Sequence, residues 1–183
     1  FIDSGKIIHA SDLVIGITQS GETAETIKAL EYAKNKKAKT IAVVEKSSSQ
    51  ASIISDLTIN IGSGSEYAVA STKTFTSTTI SLYILSKYIY SKKQNIDFDH
   101  NEIVNELEEL NHKAALILND QHKIKEISKE FSKLKHILFL GRDIMYPVAM
   151  EGALKMKEVC YIHAEAYPAG EMKHGVNALI GEK

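Results

Sequence analysis

The chain has 183 residues, 44% of them hydrophobic and 25% charged, an ordinary globular composition that suits one domain, or one and part of another. A formal net charge of −1 gives no global reason to expect nucleic acid or an anionic membrane as partner. The single cysteine, Cys160, excludes an internal disulfide framework and a CxxC metal site, and it fits a reducing, cytoplasmic setting.

Taken in order, Leu13-Val14-Ile15-Gly16-Ile17-Thr18 reads as a short buried strand rich in β-branched residues. A Ser-Gly turn follows, then a helical pattern over about residues 22–35 with Ile27, Leu30 and Ala33 on its apolar face. Residues 40–44 read as a second buried strand, Ser47-Ser48-Ser49 opens a short helix that places Ile53 and Ile54, and residues 57–61 read as a third strand. Strands that alternate with helices, without hairpin signals, predict right-handed βαβ crossovers and a parallel sheet, hence an α/β fold. After the loop Gly62-Ser63-Gly64-Ser65, a long helix is expected over about residues 69–92, with Tyr83, Ile84, Tyr88 and Ile89 packed inward. Residues 95–100 are turn-like. Two amphipathic, highly charged helices, about 101–119 and 121–133, carry no motif and read as a solvated linker pair.

The strand pattern then restarts at His136-Ile137-Leu138-Phe139-Leu140-Gly141, and Tyr146-Pro147 opens another helix, with proline tolerated in the first turn. A boundary near residue 134 is therefore expected between two α/β units. The N-terminus has no signal-peptide pattern, and no apolar run reaches the roughly 18 residues of a membrane span. The sequence starts at Phe1 without Met and stops at Lys183 soon after an apolar, strand-like run. Both units are accordingly expected to be truncated, the first lacking its opening strand and helix and the second its closing half.

Four segments could carry chemistry. Thr18-Gln19-Ser20-Gly21-Glu22-Thr23 lies where a parallel strand ends and a helix begins, so hydroxyls, a glycine and free helix N–H groups could cradle a phosphate. Plain N-capping by Ser20 is the competing reading. No GxxxxGK[ST] occurs, so a nucleotide is not implied. Val69-Ala70-Ser71-Thr72-Lys73-Thr74 occupies the same kind of edge after the third strand; Lys73 there reads more simply as a solvated charge than as a catalytic amine. In Glu151-Gly152-Ala153-Leu154-Lys155-Met156-Lys157-Glu158, steps of about 100° put Glu151, Lys155 and Glu158 on one helical stripe, opposite Ala149, Ala153, Met156 and Cys160. Such a stripe could move a proton, or could simply be a set of surface ion pairs. Finally, His174 before Gly175 sits in a loop-like segment where an imidazole could act near neutral pH. The spacing of His163, Glu165, Glu171 and His174 matches no zinc motif, so no metal is expected.

Together these four segments, in this order, resemble the isomerase region of the glucosamine-6-phosphate synthase family, the glutamine:fructose-6-phosphate amidotransferases, which is built on two sugar-isomerase (SIS) domains. The resemblance covers nearly the whole chain. It implies SIS-type three-layer αβα sandwiches with parallel sheets: residues 1–134 as a first SIS domain, with a helical linker over about 95–134, and residues 135–183 as the start of a second. It also implies a sugar-phosphate substrate, with Thr18, Gln19, Ser20 and Thr23 around the phosphate and Val69 and Ser71 against the sugar. Glu158 would move a proton between C1 and C2 through an enediol(ate), Lys155 and Glu151 would position hydroxyls and stabilise negative charge, and His174 would assist ring opening from the neighbouring subunit of a homodimer. No cofactor is implied. The family's glutaminase domain and its imine-forming C-terminal lysine have no counterpart in these residues, and Val176-Asn177 stands where the family has Pro after His-Gly. The 183 residues alone are therefore expected to be weak or inactive. Two other readings remain open at this point: a different SIS-type amino-sugar-phosphate isomerase or deaminase, and a phosphosugar-sensing module without turnover.

Overall fold

A computed structural model describes residues 8–181; Phe1 and Lys183 lie outside the described residues. The chain divides into two compact units, one running to Ile103 and the other starting at Val104.

In the first unit, β1 (Leu13–Ile17), α1 (Ala24–Asn35), β2 (Lys39–Val44), α2 (Gln50–Ile54), β3 (Leu57–Asn60) and α3 (Lys73–Gln94) follow one another. The three strands pair in parallel in the order β1-β2-β3, with Val14 opposite Thr40 and Val43 opposite Ile59. Successive strand residues point to opposite faces, so each face of the sheet makes its own core. On one face Ala42 and Val44 pack with Leu30 of α1 and Ala51 of α2, joined by Val14, Ile27 and Ile54. On the other, Ile41, Val43 and Ile61 pack with Ile15, Ile59 and with Leu82 and Leu85 of α3. The result is a three-layer αβα sandwich, and β2 is buried on both faces.

The long helix differs from expectation at both its start and its inward face. It begins at Lys73 rather than Val69, because residues 68–70 form bends. Leu82 and Leu85 meet the sheet, while Tyr83 and Tyr88 are exposed. Ile53 of α2 is exposed as well. Asn95, in the left-handed region, ends α3.

Asp56, before β3, ties that strand to β2. Its carboxylate accepts from the Thr40 amide (2.9 Å) and hydroxyl (3.2 Å), and the same hydroxyl accepts from the Asp56 amide (3.0 Å). The Thr40 amide hydrogen bond outweighs desolvation and, with that hydroxyl and Lys34 nearby, holds the carboxyl below its usual range. A lowered folded pKa means the contribution is fully present above the unfolded value, near 3.9, and is lost as pH falls through the folded one. Asp56→Asn is therefore expected to lower stability at neutral pH and to flatten its fall between about pH 5 and pH 3. Urea midpoints across that range check this; parallel pH curves for variant and parent would refute it.

The second unit contains most of α4 (His100–Asn119), then α5 (Gln121–Phe131), β4 (His136–Gly141), α6 (Met145–Cys160) and β5 (His163–Pro168). β4 and β5 pair in parallel, with His136 opposite His163 and Gly141 opposite Pro168. α6 covers one face of this pair: Gly152 lies against the Phe139 ring, and Ala149, Ala153 and Ala164 are buried. A Cβ at Gly141 would come 2.3 Å from the Met145 carbonyl oxygen, so the tight exit from β4 into α6 requires glycine. β5 was not expected from the sequence. The apolar run near the end also differs from its strand-like reading, since residues Val176–Leu179 form a 3-10 turn.

Candidate functional site

The candidate residues lie in the loops or on the helices that follow parallel strands. In the first unit, β1 runs into Thr18, which is buried; its hydroxyl accepts from the Gly21 amide (3.3 Å) and pairs with the Thr23 hydroxyl (2.7 Å). Gly21 has φ +71°, the left-handed conformation that lets the chain reverse. Ser20 is not the helix cap. Its hydroxyl accepts the Glu22 amide (3.1 Å) within the turn, and Thr23 is the N-cap of α1 without a side-chain hydrogen bond to the helix. With the Thr23 hydroxyl paired with that of Thr18 rather than with the helix, no side-chain hydrogen bond among the described residues caps the first-turn amides of α1. Gln19 and Ser20 are exposed beside them. Three hydroxyls and a positive helix end therefore converge on a solvent-open loop, an arrangement suited to an anion. The loop is also tied to α2: Ala51 donates its amide to the Gly21 carbonyl (2.9 Å), and Gln50 donates to the Glu22 carboxylate (3.0 Å).

The segment after β3 is held by two carboxylates that sequence reasoning missed. Glu45, just past β2, accepts from the Ser63 amide (2.8 Å), the Ser63 hydroxyl (2.8 Å) and the Gly64 amide (2.9 Å). Glu66 accepts from the Thr72 amide (3.2 Å), the Thr74 amide (3.2 Å) and the Thr74 hydroxyl (2.9 Å), so it caps α3. These bonds, Ser63 foremost for Glu45 and the Thr74 amide foremost for Glu66, outweigh desolvation and hold both carboxyls below their ordinary value. Lys73 contributes its charge to both, which gives it an electrostatic place in the loop. Between the two clamps Val69 is exposed and Ser71 half-buried. The only available sequence signal was an acidic residue a few positions ahead of a Thr-rich helix start.

In the second unit, α6 realises the expected stripe. Lys155 Nζ lies 2.7 Å from Glu158 Oε2 and 3.2 Å from Glu151 Oε1, with all three side chains about one-quarter exposed. Burial pushes the Lys155 amine down, but the hydrogen bonds and charges of Glu158 and Glu151 outweigh it and raise its pKa. The amine therefore stays cationic, a fixed positive charge next to a carboxylate able to take a proton. On β5, Tyr167 donates its hydroxyl to Glu165 (2.5 Å). The chain then turns through Ala169–Glu171 to His174, which is exposed, and to Gly175, at φ +111°. Among the described residues no three His, Cys, Asp or Glu side chains converge as a metal site, and no helix is long and apolar enough to cross a membrane.

Three comparisons bear on this geometry. The SIS domain family model matches residues 4–87 and 130–183. Over 96% of its length the chain is 44% identical to the glutamine--fructose-6-phosphate aminotransferase [isomerizing] of Aquifex aeolicus and 42% identical to that of Caldanaerobacter subterraneus, covering 28% and 29% of those proteins. The chain thus spans under a third of the relatives' length. Among solved structures, the C-terminal domain of glucosamine-fructose-6-phosphate aminotransferase from Francisella tularensis matches with a TM-score of 0.83 and 38% identity, over 98% of this chain and 52% of that one. A glucosamine-6-phosphate deaminase from Thermotoga maritima shares the fold, with a TM-score of 0.71 at 22% identity, over 99% of this chain and 53% of that one.

Proposed function

Because this chain belongs to the SIS domain family, we propose that it forms the sugar-phosphate-isomerising part of a glutamine–fructose-6-phosphate aminotransferase. The reaction is conversion of fructose-6-phosphate, with ammonia from glutamine, into glucosamine-6-phosphate. The observation that carries this reading is the Lys155 amine held between Glu151 and Glu158 on a helix that follows a parallel strand.

In this reading Thr18, Gln19, Ser20 and Thr23 hold the phosphate, and Val69 and Ser71 contact the sugar. Phosphate is remote from the reacting carbons, so its binding energy can orient the chain of the sugar without touching the chemistry. His174, supplied by the partner subunit of a homodimer, assists ring opening. Ammonia adds at the C2 carbonyl of the open form and water leaves to give an imine; Glu158 then removes a proton from C1 and returns it to C2 through an enolamine, which leaves the amino group on C2. Lys155 stabilises the negative charge that develops meanwhile, and Glu151 keeps the amine in place. Side chains alone perform these steps. Ammonia comes from a glutaminase domain elsewhere in the full-length protein, which acts in the cytoplasm. Residues 1–134 and 135–183 are assigned to successive SIS domains, with about 95–134 as the helical linker.

Titration of the 183-residue chain with inorganic phosphate and with fructose-6-phosphate tests the ligand class. Both are expected to bind and to shift the amide resonances of Ser20, Thr23 and the first turn of α1. Thr23→Val, which keeps the shape and removes the hydroxyl, is expected to weaken both by about tenfold, one hydrogen bond to a charged group. A chain that takes neither ligand would refute the assignment.

A further inference from the structure

Glu45 stands between the two loops to which ligand contacts are assigned. Its backbone amide donates to the Gln19 carbonyl (3.0 Å), inside the anion loop, while its carboxylate takes three hydrogen bonds from Ser63 and Gly64. The Ser63 hydroxyl lies 3.4 Å from that of Thr74, which in turn donates to Glu66. A continuous hydrogen-bonded path therefore runs from the anion loop through Glu45, Ser63 and Thr74 to the cap of α3. It fixes both ends of the segment from Ser63 to Thr74. The stretch between them has Tyr67 93% exposed and Val69 89% exposed, while Ala70 is buried. Neither Glu45 nor Glu66 belongs to the hydrophobic clusters that pack the sheet.

We propose that Glu45 and Glu66 are positioning residues that set the sugar-contacting segment against the phosphate loop, so that the site distinguishes a phosphosugar from bare phosphate. The inference rests on the phosphosugar reading of this site. Two anionic clamps suit the task because a carboxylate accepting several N–H and O–H bonds is stronger and more directional than neutral contacts. Both stay ionised through neutral pH, and the charge of Lys73 partly offsets theirs. The division of labour within Glu45 is what makes the idea testable: removing its side chain frees Ser63 and Gly64 but leaves the backbone bond to Gln19 intact.

The experiment compares the parent chain with Glu45→Ala by calorimetric titration with inorganic phosphate and with fructose-6-phosphate, alongside amide hydrogen exchange at Ser63 and Gly64. Glu45→Ala is expected to bind fructose-6-phosphate about tenfold more weakly, with phosphate affinity unchanged within about twofold, and to lose protection at both amides. A merely structural role would weaken both ligands together. Glu45→Gln keeps the side-chain length and one acceptor oxygen; it guards against loss of fold and is expected to give the same selective loss at about threefold. Equal affinity of variant and parent for fructose-6-phosphate, or parallel loss of both ligands, overturns the inference while leaving the phosphosugar reading in place. A parent chain that binds neither ligand overturns the reading and the inference together.

Discussion

Glu158→Gln is expected to reduce exchange of solvent deuterium into fructose-6-phosphate by about 10²–10⁴-fold, the range for removing a positioned general base. The substitution is nearly isosteric and keeps a hydrogen-bond acceptor within reach of Lys155, so its effect isolates basicity. Lys155 retains Glu151 as a charged partner at 3.2 Å, and the amine stays cationic. Phosphate binding is assigned to hydroxyls of the first unit, so fructose-6-phosphate affinity should change by no more than about twofold. The loss should therefore fall on turnover, as for an interaction made only in the transition state. The assay belongs in a polypeptide of the relatives' full length, because the 183 residues span 28% of such proteins. Near-parental exchange in the variant would exclude Glu158 as the base. A large loss of sugar affinity would instead indicate that Glu158 binds substrate rather than moving its proton.

The stripe that motivates this variant was legible because helical periodicity is a local property. Glu151, Lys155 and Glu158 fall together at any position a helix takes in the fold, and the small residues opposite them, Ala149 and Ala153, mark which side is buried. β1, β2 and β3 were legible for a similar reason: short β-branched runs separated by a helix-length interval leave few topologies. What escaped was non-local. β5, His-Ala-Glu-Ala-Tyr-Pro, is mostly Ala, Glu and Pro of little intrinsic strand character, and it becomes a strand by pairing in register with β4. Tyr83, Ile84, Tyr88 and Ile89 were expected to pack inward, yet the sheet takes Leu82 and Leu85. Glu45 carries no pattern, and Glu66 only its place ahead of a Thr-rich helix start; their importance comes from amides that the chain brings to them 18 to 19 residues later in one case and 6 to 8 in the other.

Gly21→Ala is expected to destabilise the first unit by about 2–5 kcal/mol, combining left-handed backbone strain of about 1–2 with steric overlap of about 1–3. The added Cβ would come 2.0 Å from the Ser49 hydroxyl oxygen and 2.3 Å from its Cβ. Ser49 has little room to yield, because it is 3% exposed and its hydroxyl lies 3.1 Å from that of Ser52. Relief therefore has to come from lifting the anion loop off α2, which breaks the bond from the Ala51 amide to the Gly21 carbonyl. The same movement would pull Thr18 and Thr23 out of register, so phosphate affinity should fall together with stability. Gly64→Ala supplies the control: Gly64 also has positive φ, +68°, but a Cβ there meets nothing within 4 Å. Backbone strain alone should then cost about 1 kcal/mol. Urea unfolding of both variants separates the two contributions. Equal losses at the two glycines would mean that the close packing of the anion loop on Ser49 has no energetic consequence, and the preorganisation assigned to that loop would lose its physical basis.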